Sequence, residues 1–239
     1  MIPKKIHYCW FGQGKMPVLA EKCIESWRTY CPDYEIIEWN EDNFNINCCS
    51  YVKEAYENRK FAFVRDYARL YILYTQGGIY MDTDVEVIKR LDEFLHNKAF
   101  SGFESKTAIP TGIMAAEKGF PLYEHLLSYY NNRHFISRAG CPDTTTNVTI
   151  ITSMLTERGF VPNGKYQVID DFVLYPRDYF CPFDNATGVL HQSPNTAVIH
   201  WFNKSWVPQK QRIRSKITRV FHRIFGINCF IFLKGTKRG

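Results

Sequence analysis

The chain has 239 residues, of which 45% are hydrophobic and 23% are charged. This balance argues against disorder over most of the length and allows one large domain or two small ones with a sizeable core. The net charge of +6 is unevenly placed, because residues 204–239 hold ten Lys or Arg and no acid, which leaves −4 on residues 1–203. We therefore predict one domain over residues 1–206 and a basic tail over residues 207–239.

The eight cysteines form no C-x-x-C pair, so the sequence disfavours a zinc ribbon or a thioredoxin-like site. Small, semi-buried cysteines of this kind are typical of a reducing cytosol. The apolar part of the N-terminal stretch is too short for a signal peptide, and no run approaches the ~20 apolar residues of a membrane span. These features favour a cytoplasmic protein.

Strand and helix patterns alternate along the first third of the chain. Apolar and aromatic runs predict strands at residues 5–11 and 34–39. Apolar residues at helical spacing predict helices at 17–30, 50–58 and 61–76. A strand, a helix and a second strand in this order favour a parallel sheet and the α/β class.

The remaining elements follow a central strand. Gly77 and Gly78 are expected to end the preceding helix, and the apolar residues 79–81 then run into Asp82. Residues 144–147, a Thr-Thr-Thr-Asn cluster, are expected to cap a helix. The later predicted elements are strands near 98–103, 112–116, 166–175 and 196–202, and helices near 121–131 and 145–157.

Asp82 and Asp84 come directly after an apolar strand. Ligands of open α/β sheets bind beyond the carboxyl ends of the strands, and residues two apart in an extended chain point the same way. Two carboxylates facing one spot repel each other unless a cation lies between them. Because Mg²⁺ and Mn²⁺ prefer oxygen ligands and keep positions for phosphate oxygens, the pair predicts a site for a metal-bound phosphate ester.

Two other interpretations of these acids stay open. The D-x-D pattern is common, and both side chains could face water in a loop. Phosphatases of the haloacid dehalogenase type carry D-x-D-x-[TV] after an apolar strand. In this chain Glu86 stands at the fifth position, and the motif does not open the domain as it does in that class.

Four pieces of sequence between residues 2 and 206 carry a family resemblance. They are IPKKIHYCWFG (2–12), PDYEIIEWNEDNF (32–44), FVRDYARLYILYTQGGIYMDTDVEV (63–87) and HWFNKSW (200–206). In this order they resemble glycosyltransferase family 32, the sugar transferases with a DXD motif, and more distantly the catalytic domain of the large clostridial glucosylating toxins. The resemblance implies a GT-A fold with a Rossmann-like mixed sheet, a nucleotide-sugar donor such as a UDP-sugar, Mn²⁺ or Mg²⁺, and retention of anomeric configuration.

The resemblance also implies roles for five residues in donor binding and catalysis. Trp10 would stack on the base, and Asp66 and Arg69 would hold the ribose and the sugar. Asp82 would contact the ribose or a metal-bound water, and Asp84 would ligate the metal. We expect Arg69, Asp82 and Asp84 to carry catalysis. Core packing of Trp10 and a local ion pair between Asp66 and Arg69 are the structural alternatives.

The closing motif supplies three further candidates. His200 would be a third metal ligand or would orient the diphosphate, although a histidine after a strand is often structural. Ser205 and Trp206 would contact the leaving diphosphate, and Trp206 would also close the site as a lid. The mechanism implied is front-face attack by the acceptor hydroxyl, with double displacement as the alternative.

The chain departs from the family pattern at three positions. Arg65 stands where many relatives have a small residue before the aspartate. Thr111 and Gly112 stand where relatives often carry Asn-Ala. Since these positions lie toward the sugar and the acceptor, the identity of the donor sugar stays open.

Residues 209–225 place apolar side chains at helical spacing, with Arg and Lys on the remaining face. A basic amphipathic helix suits an anionic membrane surface, contacted here through residues 209–233. This predicts a peripheral enzyme on the inner face of the membrane that acts on a glycan or lipid-linked glycan acceptor in surface polysaccharide synthesis. Packing of the helix on its own domain or on a partner is the alternative. Nucleic acid is disfavoured, because the tail has an apolar stripe and residues 1–203 are acidic overall.

The sequence thus predicts a metal-dependent hexosyltransferase that moves a hexose or an N-acetylhexosamine. The alternative is a non-catalytic protein that binds a sugar nucleotide or a glycan through a relict site. The full set of Asp66, Arg69, Asp82, Asp84 and Trp206 argues against that alternative.

Overall fold

The computed structural model describes residues 1–105, 107–109, 112–203, 209–227 and 229. These ranges form a sheet of seven strands, a second sheet of two strands and the helices around them. The strands are β1 (Lys5–Cys9), β2 (Glu35–Trp39), β3 (Gly78–Met81), β4 (Val85–Val87), β5 (Ala99–Gly102), β6 (Ile113–Ala116), β7 (Gln167–Ile169), β8 (Phe172–Tyr175) and β9 (Val198–His200). The α-helices are α1 (Val18–Tyr30), α2 (Ser50–Glu57), α3 (Phe61–Gln76), α4 (Pro121–Ser128), α5 (Asn147–Thr156), α6 (Arg177–Phe180) and α7 (Gln209–Phe225).

The large sheet has the order β2-β1-β3-β6-β5-β8-β7. β1 pairs in parallel with both β2 and β3, and β5 pairs in parallel with β8. β6 is antiparallel to β3 and to β5, and β7 is antiparallel to β8. The predicted α/β class with a mixed sheet is therefore confirmed, whereas the strand-helix-strand pattern alone indicated only the parallel half.

Two apolar cores lie on opposite faces of this sheet. The aliphatic and aromatic side chains of α2, α3, α4 and α5 fill one core. Those of α1, β4, α6 and β9 fill the other. The large sheet and other helices cover α3 on several sides. The apolar residues of α3 therefore face several neighbours at once, as its sequence predicts.

α3 ends next to the amino end of β3. The first turn of α3 therefore lies near the carboxyl end of β3. A sharp turn joins the two elements at Gly77 and Gly78, which have φ of 67° and 99°. A Cβ on Gly78 would lie 2.9 Å from His7 Nε2 and 2.9 Å from the Lys5 carbonyl oxygen. The glycine pair therefore allows both the turn and the close approach of β3 to β1.

β4 and β9 form the small antiparallel sheet, in which Val85 pairs with His200. α1 holds β4 in place, because Trp27 Nε1 donates to the Val85 carbonyl at 2.7 Å and the Val87 amide donates to Ser26 Oγ at 2.9 Å. This pairing brings a segment from late in the chain beside the residues that follow β3.

The element boundaries differ from the sequence prediction at several ends. β1 ends at Cys9 rather than residue 11, and α4 ends at Ser128 rather than residue 131. α5 begins at Asn147, but the Thr146 side chain makes no capping hydrogen bond, so the predicted cap is wrong. No helix in the described ranges combines the length and the hydrophobicity that crossing a bilayer requires.

α7 packs against the loop of residues 184–188 through its polar face. Arg219 donates to the Asn185 carbonyl at 2.9 Å and to its Oδ1 at 2.5 Å, and Arg223 donates to the Gly188 carbonyl at 3.0 Å. The opposite face leaves apolar side chains exposed. They are Ile217, Val220, Phe221, Ile224, Phe225 and, just beyond the helix, Ile227.

Candidate active site

The site lies at one edge of the large sheet, where three strands with the same direction end. β1, β3 and β5 end here and are followed by Trp10, Asp82 and Glu104, all of which line a cleft of about 380 Å³. A second cavity of about 530 Å³ adjoins it and shares Trp10 and Arg65 with it. The first turn of α3 and the start of α5 form the opposite wall. This is the place where open α/β sheets bind ligands.

Asp82 is the first residue of a four-residue turn and Asp84 is the third, so the pair does not lie in an extended chain. The Val85 amide donates to the Asp82 carbonyl at 3.0 Å, as in a β-turn. The Asp82 amide donates to the Gly112 carbonyl at 2.9 Å, which ties the turn to the start of β6. The sequence argument from two-residue alternation was therefore wrong in its geometry, although both side chains line the same cleft.

Asp84 is held by the chain that follows β9. Its Oδ2 accepts the Asn203 amide at 2.7 Å, its carbonyl accepts the Trp201 amide at 2.9 Å, and its Oδ1 lies 3.4 Å from His200 Nε2. Burial disfavours the ionised carboxyl, but His200 and the Asn203 amide outweigh it and hold the pKa of Asp84 at about 2. Burial likewise disfavours protonation of His200, but the Asp84 carboxylate raises the pKa of His200 well above its usual value.

One ligand atom each from Asp82, Asp84 and His200 lies within 4.8 Å of the others. Two carboxylates and an imidazole are a donor set that suits Mn²⁺, and two carboxylates alone also suit Mg²⁺. The residues fit a divalent cation, which would take the place of the positive charge that the raised pKa of His200 favours beside Asp84. The structure therefore brings together the three residues expected to ligate a metal.

Arg69 links two of the acidic residues and is itself 4% exposed. One of its terminal nitrogens lies 3.3 Å from Asp66 Oδ1 and 3.3 Å from Asp82 Oδ1. Its guanidinium also stands 4.8 Å from the ring centre of Tyr80, whose hydroxyl donates to Asp82 at 3.1 Å. The local ion pair with Asp66 exists, but Arg69 extends it into the cleft and offsets the charge beside the candidate metal ligands.

Asn147 is a site residue that the sequence argument missed. It is 1% exposed, and its backbone amide and side-chain amide donate to Asp66 Oδ2 at 3.3 Å and to the Asp66 carbonyl at 2.5 Å. Its Oδ1 accepts the hydroxyl of Tyr130 at 2.6 Å. Asn147 therefore fixes Asp66 at the cleft. The only signal was its position at a helix start, which was interpreted as a cap.

His200 depends on two further neighbours. A Cβ on Gly112 would lie 2.7 Å from His200 Nδ1, so the absence of a side chain at this position makes room for the imidazole. Phe202 stacks on the other side, with ring centres 4.0 Å apart. Its φ of 51° is rare for a bulky residue, and such strain is commonest at functional sites.

Trp10 is half-buried: its side chain packs against the core of α1, β4, α6 and β9 and also lines both cavities. Its Nε1 donates to the Gly14 carbonyl at 2.7 Å, which fixes the indole plane beside the cleft. Ser205, Trp206 and Thr111 lie outside the described residues. The roles expected for Ser205 and Trp206 therefore stay predictions.

Two glycosyltransferases are among the solved structures that resemble this chain. The galactosyltransferase LgtC, solved with donor and acceptor sugar analogs, is 14% identical, with a TM-score of 0.46 over 90% of this chain and 95% of that one. The PaToxG glycosyltransferase is 19% identical, with a TM-score of 0.45 over 65% of this chain and 69% of that one. Likenesses this distant carry no argument about the substrate.

The curated sequence relatives share a higher identity with this chain than these solved structures do. Inositol phosphoceramide mannosyltransferase 3 of Schizosaccharomyces pombe is 30% identical over 145 residues, which is 56% of this chain and 40% of that protein. Inositol phosphoceramide mannosyltransferase 1 of the same yeast is 30% identical over 256 aligned residues, which is 100% of this chain and 76% of that protein. The family model for the glycosyltransferase sugar-binding region containing a DXD motif matches residues 17–101. The chain, with its GT-A type α/β fold, therefore belongs to the DXD-containing glycosyltransferases of the family 32 type.

Proposed function

We propose that the protein is a metal-dependent, retaining glycosyltransferase that moves a hexose or an N-acetylhexosamine from a nucleotide sugar, UDP-linked in the simplest case, to a glycan acceptor. The observation that carries the proposal is the convergence of Asp82, Asp84 and His200 in one cleft with Trp10, Asp66 and Arg69. Membership of the glycosyltransferase family supports the reaction class.

The metal ligands would be Asp82, Asp84 and His200. A bound Mn²⁺ or Mg²⁺ would supply positive charge against the diphosphate of the leaving group. Because Arg69 already pairs with Asp82 and Asp66, the cleft tolerates several carboxylates in the absence of a ligand. The chain therefore offers a preformed acidic site.

The remaining residues would each bind a different part of the nucleotide-sugar donor. Trp10 would stack on the base in the shared part of the two cavities. Asp66, fixed by Asn147, and Arg69 would hydrogen-bond the ribose and the sugar hydroxyls. Ser205 and Trp206 would bind the diphosphate, and the acceptor hydroxyl would attack from the face that the diphosphate leaves. Double displacement is the alternative route.

The acceptor is proposed to be lipid-linked and to lie at the cytoplasmic side of a membrane. The names of the two yeast relatives describe mannose transfer to inositol phosphoceramide, which supports a hexose donor and an acceptor with a lipid part. The exposed apolar face of α7 and the arginines beside it support contact with an anionic bilayer. A role in surface polysaccharide synthesis would follow from such an acceptor.

A thermal-unfolding screen of UDP- and GDP-linked sugars with Mn²⁺ tests the donor site, since a bound donor raises the Tm by mass action. We expect one donor class to raise the Tm in the presence of Mn²⁺ and to be hydrolysed or transferred. Asp84→Asn should lower this turnover roughly 100-fold or more by weakening the charge that stabilises the leaving group.

Asp42→Asn, which removes an exposed acid outside the cleft, is the matched control and should turn over donor normally. Equal turnover by Asp84→Asn and wild type would disprove the metal site. A donor that binds to wild type without any turnover would instead favour a non-catalytic protein with a relict site.

A further inference from the structure

Arg65 occupies the junction between the two cavities of the cleft. It stands in the second turn of α3, is half-buried, and lines both the cavity with the acidic cluster and the larger cavity beside it. Trp10 also lines both cavities. A ligand that reaches from Trp10 to Asp82 and Asp84 therefore passes the Arg65 side chain.

Within the described part of the chain, no carboxylate forms an ion pair with Arg65. Its Nε is buried and has no hydrogen-bond partner there. Arg69, one turn later on the same helix, contacts two carboxylates instead. A guanidinium has five N–H donors, and no carboxylate among the described residues offsets the charge of this half-buried one at ion-pair distance, so an anionic ligand would supply the missing partner.

The charge pattern points to the chemistry of that ligand. The fork of an arginine side chain matches the paired oxygens of a phosphate or a carboxylate, and charge-assisted bonds of this type are strong. The aspartates of the cleft already pair with Arg69 and His200. Arg65 is thus a further cation in the same cleft, with no carboxylate at ion-pair distance among the described residues.

We propose that Arg65 binds an anionic oxygen group of the sugar nucleotide where the ligand crosses from one cavity to the other. The diphosphate is the group that every nucleotide sugar would place there. The carboxylate of an acidic sugar, such as a uronic acid, has the same chemistry and is the second source. This inference rests on the proposed function and assigns one residue of its binding site.

The test compares Arg65→Ser with wild type by titration calorimetry in the presence of Mn²⁺. The probes are uridine and UDP, guanosine and GDP, and UDP-glucose and UDP-glucuronate. Lys60→Ser is the matched control, because Lys60 is an exposed cation that lines only the larger cavity. Arg65→Lys keeps the charge and shows whether the fork geometry matters. Thermal unfolding without ligand checks that each variant is folded.

We expect Arg65→Ser to weaken binding of the preferred nucleoside diphosphate about 10- to 100-fold. Binding of the nucleoside alone should stay unchanged. Lys60→Ser should change the Kd of either ligand less than about 3-fold. Loss confined to UDP-glucuronate, with UDP and UDP-glucose unaffected, would assign the anionic group to a sugar carboxylate. Equal binding of all probes by wild type and Arg65→Ser would overturn the inference and leave the donor site intact. Wild type that binds none of the probes would overturn the proposed function and the inference together.

Discussion

At the scale of single residues, the position of His200 depends on the absence of a side chain at Gly112. His200 reaches Asp84 because Gly112 has no side chain, and the imidazole occupies the space of the absent Cβ. Position 112 departs from the Ala that relatives often carry, and its effect falls on the candidate metal ligand rather than on the sugar alone. A glycine at this position therefore sets the position of the His200 ring, one of the three candidate metal ligands, through packing.

Gly112→Ala should displace the His200 ring, because the new methyl group would lie 2.7 Å from Nδ1. We expect the affinity for Mn²⁺ to fall about 10- to 100-fold, as when a metal ligand loses its support. Mn²⁺ titration followed by electron paramagnetic resonance measures this directly. Gly14→Ala is the control, since a Cβ at Gly14 meets nothing within 4 Å. Equal Mn²⁺ affinity for Gly112→Ala and wild type would show that His200 is not a ligand.

At the scale of secondary-structure elements, His7 connects β1 to β2 and to the turn before β3. Its Nε2 lies 2.9 Å from the Gly77 carbonyl, and its Nδ1 accepts from Trp39 Nε1 at 3.1 Å. Both contacts are satisfied by a neutral ring that donates from Nε2. Burial opposes protonation and lowers the pKa of His7 to about 4, despite the favourable bond to the Gly77 carbonyl.

This lowered pKa predicts a loss of stability in acid. The unfolded chain takes up a proton at its usual pKa near 6.5, whereas the folded chain resists protonation until about pH 4. The stabilisation is therefore complete above pH 6.5 and is lost as the pH falls toward 4, by roughly 3 kcal/mol at most. Urea unfolding of wild type and His7→Gln from pH 4.5 to 7.5 measures it.

The informative quantity in that experiment is the difference in the free energy of unfolding between wild type and His7→Gln at each pH, because other groups such as His200 also titrate. His7→Gln should have a smaller free energy of unfolding near neutral pH and a shallower dependence on pH. His96→Gln, at an exposed histidine, should keep the wild-type dependence. Parallel pH curves for wild type and His7→Gln would contradict the neutral, buried His7.

The order and type of most elements were predictable, because hydrophobic periodicity and the glycine pair act locally. β4 and α6 were not predicted, and the strand predicted at 166–175 is two antiparallel strands, β7 and β8. The contacts between distant segments were not predictable. Nothing local shows that Asn147, the first residue of α5, binds Asp66, or that Asn203 donates to Asp84 beside the β4–β9 pair. The candidate site was found because its acids lie together in sequence at a strand end, where topology concentrates ligand sites.

At the scale of the whole molecule, the charge asymmetry has a structural counterpart in α7. Three of its side chains, Arg219, His222 and Arg223, contact backbone carbonyls of the loop at residues 184–188. The packing alternative from the sequence is therefore correct for this polar face. The apolar face, with side chains such as Val220 and Ile224 that are 58% and 65% exposed, still allows a bilayer contact.

Vesicle flotation tests the membrane contact. We expect wild type to float with vesicles that contain phosphatidylglycerol and to stay unbound with phosphatidylcholine alone, because the basic tail needs anionic lipid. Val220→Glu with Ile224→Glu should weaken binding at least about 10-fold by removing two apolar side chains from the interface. Val161→Glu with Val168→Glu, at exposed positions outside α7, is the control. Undiminished flotation of the α7 variant would exclude this face as the contact.

The bonds from α7 to the 184–188 loop have a consequence for regulation. Asn185 accepts two hydrogen bonds from Arg219 and is also part of the cleft wall beside His200. A shift of the helix that kept these bonds would therefore move Asn185, which lines the cleft proposed to hold the donor. Thermodynamic linkage makes this effect reciprocal. If packing of α7 on the 184–188 loop raises the affinity for donor, bound donor must favour that packing by the same factor.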